Sequence, residues 1–143
     1  MVSSDDAGLM RVPDDQLDYD EELFYTYHGL PFTGIGYERA PRGGLSEISY
    51  QGGAQDGPSR DWYPNGRIKS EAIYRKNVLH GYSREFNESG ALTEEREYEF
   101  GILKSSTEFD ELGNVVRRFV LAEADPQFAL LKKLRMHAAD DDG

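Results

Sequence analysis

The chain has 143 residues, with 27 acidic residues against 16 Lys plus Arg and a formal net charge of −11 at pH 7. That length fits one domain. The absence of Cys excludes disulfides, thiolate zinc sites and thiol nucleophiles, and no apolar run approaches the roughly 18 residues of a membrane span. The acidity is uneven, with a net charge of −7 over residues 1–22, −2 over 23–121 and −2 over 122–143. No segment clusters the Lys and Arg that a nucleic-acid backbone requires.

Residues 1–18 read as an acidic, mobile leader, poor in large apolar side chains, whose deletion should leave the fold intact. Residues 1–6 lack the basic flank and apolar run of a secretion signal, so a cytoplasmic location is expected. Leu23-Phe24-Tyr25-Thr26-Tyr27 is a β-prone run able to supply an opening strand. A repeat domain then extends over 19–121. Tyr27, Tyr50, Tyr74 and Tyr98 recur at 23 or 24 residues, and seven positions after each come Gly34, Gly57, Gly81 and Ser105. A second glycine set, Gly43, Gly66, Gly90 and Gly113, is followed two positions later by Leu45, Ile68, Leu92 and Val115. Such self-similarity is the mark of a stacked repeat.

Each unit reads as a β-hairpin. In the second, residues 59–63 form a strand, Pro64-Asn65-Gly66 the turn, and residues 68–74 the return strand. Alternation puts Ile68, Ser70, Ala72 and Tyr74 on one face and Lys69, Glu71 and Ile73 on the other. Asp125-Pro126 opens a helix expected over residues 122–138, with Phe128, Leu131 and Leu134 at helical spacing and Lys132, Lys133 and Arg135 in its final turns. Its apolar stripe should cover the open edge of the last hairpin. Residues 139–143 read as an acidic tail. The expected fold is all-β: a meander of about four tandem β-hairpin repeats in an elongated, twisted antiparallel sheet, with a short C-terminal capping helix.

The stretch Asp56-Gly57-Pro58-Ser59-Arg60-Asp61-Trp62-Tyr63-Pro64-Asn65-Gly66-Arg67-Ile68-Lys69-Ser70-Glu71, and its echo from His80 to Leu92, resembles the MORN repeat, and more closely the bacterial variant seen in YwqK-type antitoxins. The similarity covers residues 27–121, with Ser105 departing from the glycine pattern. The resemblance implies a hairpin meander used as a binding surface and an association with toxin systems. MORN proteins tied to scaffolding and membranes supply the alternative role.

No catalytic signature accompanies the repeat. His28, His80 and His137 share no metal-ligand spacing, and His80, before Gly81, reads as a turn or packing residue. Glu95, Glu97 and Glu99 share one strand face, a ladder suited either to a basic partner or to a solvated edge strand. No serine lies in a nucleophile elbow, and Gly34-Ile35-Gly36 lacks the remainder of a phosphate-binding fingerprint. Trp62 and Tyr63 are adjacent in a strand, so one of them should face outward as a contact. These residues point to a non-enzymatic binding protein without cofactor or metal. The expected partner is a basic protein, a toxin domain, rather than nucleic acid or membrane, and the expected contacts are Arg60, Asp61, Trp62, Tyr63, Tyr82, Glu85, Glu95 and Glu97.

Overall fold

The chain is described here by a computed structural model covering residues 9–142; the leader's residues 1–8 lie outside the described residues. Its strands are β1 (Arg11–Pro13), β2 (Asp18–Tyr19), β3 (Tyr25–Tyr27), β4 (Leu30–Pro31), β5 (Gly34–Arg39), β6 (Leu45–Gln51), β7 (Ala54–Trp62), β8 (Ile68–Arg75), β9 (Val78–Phe86), β10 (Leu92–Glu99), β11 (Ile102–Phe109) and β12 (Val115–Val120), followed by the helix α1 (Pro126–Asp142). From β5 to β12 every strand pairs antiparallel with the next, and β1 adds a parallel strand beside β5. Strands β2, β3 and β4 form a separate small sheet. This is the all-β meander with a C-terminal helix that the sequence predicts.

Two kinds of turn build the sheet, one at each end of the strands. The tight turns are His28 with Gly29, Gly52 with Gly53, Lys76 with Asn77, and Phe100 with Gly101, all with positive φ at both residues. That geometry matches the right-handed twist of a hairpin. It strains His28, Lys76 and Phe100 by about 1 kcal/mol each, while Asn77 suits the left-handed region. Side-chain acceptors hold three of these turns. Thr33 Oγ1 accepts from the Gly52 amide at 2.8 Å, Asp56 Oδ2 from Lys76 at 3.2 Å, and His80 Nδ1 from Phe100 at 3.0 Å. His80 is therefore a turn acceptor. The amides of Gly53, Asn77 and Gly101 in turn donate to Phe32, Gln55 and Leu79 carbonyls, stitching each turn to the residues just past the preceding tight turn at 2.8 Å.

The wide turns share another bond. The amides of Ala40, Tyr63, Asn87 and Asp110 each donate to the carbonyl four residues on. The glycine period also has a local cause at Gly81, where φ is +124° and an added Cβ would sit 3.2 Å from Ile73 Cβ. The pairing of β8 with β9 shifts register beside it, between Ala72 and Tyr74.

Burial is confined to the two ends. Val12, Leu17, Phe32 and Tyr50 form one core, against which Tyr25, Tyr27 and Ile48 pack. Ile102, Leu121 and Leu131 form the other, with Phe100, Phe128 and Leu134. No side chain between residues 54 and 101 is buried. The middle of the sheet is a single layer.

Several expectations are corrected. Residues 9–18 are not a free leader: Arg11, Val12 and Pro13 pair with Ile35, Gly36 and Tyr37, and Leu17 enters the core. Two apolar residues in an acidic stretch suffice, because Gly36 leaves room for Leu17. The helix starts at Pro126, at the Asp125-Pro126 signal and not at the segment boundary 122, and it runs on to Asp142, so the expected tail is helical to that point and the last turn carries no base. Asp125 caps it, its Oδ1 accepting the Gln127 amide at 2.8 Å. The apolar stripe of α1 does pack, but against the tight-turn end through Phe100, Ile102 and Leu121. β12 stays exposed along its whole length.

Glu47 is the one buried charged side chain among the described residues, at 5% exposure, and it pairs with Arg11. Replacing Glu47 by Gln strands a desolvated guanidinium and should lower stability by about 3 kcal/mol; urea unfolding measures it, and Arg11→Leu combined with Glu47→Leu should cost less. Deleting residues 1–18 removes Arg11, Val12 and Leu17 together, and the expected result is a melting temperature at least several degrees lower by circular dichroism.

Candidate binding surfaces of the sheet

Register places side chains in rows across the strands. Tyr37, Glu47, Arg60, Glu71, Arg84, Glu95, Thr107 and Arg118 are successive cross-strand partners from β5 to β12. From Glu47 to Glu95 the row alternates acid and base. Arg60 Nε meets Glu71 at 2.7 Å, and Arg84 Nε meets Glu95 at the same distance. The bond to Glu95 raises the Arg84 pKa. Beside this row on the same face lie apolar pairs: Leu45 with Trp62, Trp62 with Ile68, Phe86 with Leu92, and Phe109 with Val115.

The opposite face carries a different row: Ser46, Asp61, Ser70, Glu85, Glu94, Glu108 and Arg117. Asp61 accepts hydrogen bonds from the Ser46 and Ser70 hydroxyls. Glu94 pairs with Arg96 at 2.8 Å, and Glu108 reaches Arg117 only at 3.8 Å, where the guanidinium is 77% exposed. Glu85 is exposed between Ser70 and Glu94. Four carboxylates thus lie in line over five strands, spanning roughly 19 Å at the usual strand spacing.

The sequence-predicted contacts divide between these faces. Arg60, Tyr82, Glu95 and Glu97 share the face of the alternating row; Asp61 and Glu85 belong to the acidic one. Arg60 and Glu95 are committed to Glu71 and Arg84, and Glu97 meets Lys104 at 3.4 Å. Tyr82 is 46% exposed, with the Arg84 guanidinium 4.7 Å above its ring. Trp62 and Tyr63 are both half-buried. The alternation argument fails at Tyr63 because the strand ends at Trp62; Tyr63 is a turn residue whose hydroxyl donates to the Phe86 carbonyl at 2.6 Å. Nor does alternation hold at Ile68, which faces Trp62 because the register shifts between Asp61 and Trp62. The glutamate ladder lies on β10, an interior strand rather than an edge.

Sequence reasoning missed Glu94 and Glu108 as neighbours of Glu85. Like shifts at Leu92/Glu94 and Glu108/Phe109 set that alignment. The available signal was the recurrence of one extra residue after three of the four wide turns, at Lys69, Thr93 and Val116.

Glu99 performs another task. Its carboxylate takes two bonds from Arg135 of α1, at 2.5 and 2.9 Å, and meets Lys104 at 3.1 Å. The Arg135 bond, helped by Lys104, pushes the Glu99 pKa down to about 2.

Among the described residues no cluster of three or more His, Asp or Glu side chains could hold a metal ion, and no helix is long and apolar enough to cross a membrane. The arrangement is a single-layer hairpin sheet with ion-paired and acidic faces. No protein-family model matches the chain, and comparison with curated proteins returned no match.

Because the folded Glu99 pKa lies below the ordinary value of 4.5, the helix-docking contribution is fully present above pH 4.5 and is lost as pH falls towards 2. Amide protection factors at Leu131 and Leu134, corrected for the intrinsic pH dependence of exchange, should fall over that window, and Glu99→Gln should lower them already at pH 6.

Proposed function

We propose that this chain is a non-catalytic protein-binding module, an antitoxin or immunity protein of the MORN-variant type, which neutralises a basic toxin domain by stoichiometric binding. The observation that carries this reading is the line of Asp61, Glu85, Glu94 and Glu108 on a sheet face that no second layer covers. Aligned carboxylates, with Arg96, Arg117 and Lys69 as the cations beside them, attract a row of Lys or Arg and steer its approach. The face with the alternating row is electrostatically satisfied within itself, and exposed pairs of that kind add little to binding. Tyr82 is the anchor that face offers, since a large aromatic with a polar tip suits an interface.

The open edge at β12 supports the alternative reading, a scaffold that associates through strand pairing. Both are separated by one experiment. Coexpression with the toxic product of an adjacent gene should rescue growth and yield a complex of fixed stoichiometry. Glu85→Lys, at an exposed carboxylate with no ion pair of its own, should slow association at low salt by about threefold while leaving thermal melting unchanged. Neither rescue nor complex would sink the antitoxin reading, whereas assemblies that lengthen with concentration would select the scaffold.

A further inference from the structure

A cavity of about 250 Å³ opens between the β8–β9 turn, the β10–β11 turn and α1. Its apolar wall is built from Val78, Phe100 and Leu134, and its polar groups are Arg75, Lys76, His80 and His137. No carboxylate lines it, in a chain of net charge −11. Elsewhere in the sheet and its turns some cations are paired, while Arg39, Arg67, Lys69 and Arg118 also form no salt bridge among the described residues. Arg84, Arg96, Lys104, Arg117 and Arg135 all sit against Glu side chains. Arg75 and Lys76 form no salt bridge among the described residues.

The remaining polar group has a set orientation. His80 Nδ1 accepts the Phe100 amide at 3.0 Å, so the neutral ring carries its proton on Nε2 and offers one N–H donor. Three chemistries meet here: an apolar wall, two cations outside any salt bridge, with Asp56 held on the Lys76 backbone amide rather than on its ammonium, and an imidazole donor.

We infer that this cavity is a binding site for a small carboxylate bearing one ring or a short branched chain. The volume lies below the roughly 300–1,000 Å³ of sites that hold drug-sized ligands, so a nucleotide is too large and a single apolar group fits. The carboxylate pairs with Lys76 or Arg75, and the apolar group rests on Phe100 and Leu134. The same chemistry is presented by a free metabolite and by the C-terminal residue of a polypeptide. This site is separate from the acidic row and stands whether or not the partner is a toxin.

The test is a titration of the full-length, ¹⁵N-labelled chain with phenylacetate, with phenylacetamide, and with a short peptide ending in Phe as free acid or as amide. Phenylacetate should shift the Phe100 and Leu134 amides saturably. Phenylacetamide should bind about tenfold more weakly, the loss expected for one charge-assisted hydrogen bond. Lys76→Glu and, separately, Arg75→Glu should weaken phenylacetate by a similar factor with melting curves unchanged. Tighter binding of the acid-ended peptide than of phenylacetate, abolished by amidation, would assign a chain terminus as the source; exclusion of the peptide would assign a free small molecule. The inference is overturned if no acid shifts these amides, if acid and amide bind equally, or if neither charge reversal changes affinity in a chain that still folds.

Discussion

The sheet depends on an alternation of sign. A β-strand presents side chains to two faces, and a single layer has nothing to press against either one. In the middle of this molecule, from residue 54 to 101, no side chain is buried, so the usual gain from removing apolar surface from water is small there. Cross-strand neighbours take over. Glu47, Arg60, Glu71, Arg84 and Glu95 each stand opposite residues of the other sign. The most exposed of these pairs, Arg84 with Glu95, is worth no more than about 1 kcal/mol. The larger effect of the row is on register: a slip moves these side chains off their opposite-sign partners or to the other face of the sheet.

Stability proper is concentrated in the caps. At one end the segment before β5 folds back so that Val12, Leu17 and Phe32 cover Tyr50, and Glu47 ties β1 to the sheet through Arg11. At the other, α1 lays Leu131 on Ile102 and Leu121 while Arg135 clamps Glu99. Stacked units that contact only their neighbours need such terminal structures. β12 remains open, and its Arg117 and Arg118 oppose a symmetric β12–β12 dimer. A symmetric antiparallel pairing centred between them would set each arginine against the other chain's, and like charges directly opposite are unfavourable.

The hairpin meander was legible because its turns and aromatics carry a period: Gly57, Trp62, Gly66 and Tyr74 have counterparts at Gly81, Phe86, Gly90 and Tyr98. The inward positions Phe128, Leu131 and Leu134 of the helix were legible for the same reason, a regular spacing. What spacing could not convey was pairing across strands. Glu85, Glu94 and Glu108 are separated by 9 and 14 residues, and only bulges after the wide turns bring them into line. The leader's role was hidden too, since Val12 and Leu17 carry no pattern among the aspartates around them. The cavity under α1 joins Lys76 to His137 across 61 positions, a meeting that depends on where the helix lands.

One hairpin unit contains one acid and one base of the alternating row, so its length and the period of the charge pattern coincide. Excising residues 57–80 would bring Arg84 into the place of Arg60 beside Glu47, with every sign still correct. Losing a single strand such as β8 would instead set Arg60 beside Arg84. The charge pattern therefore tolerates gain or loss of whole units and resists fractional ones, which gives the lineage a way to lengthen or shorten its surface without redesigning either cap.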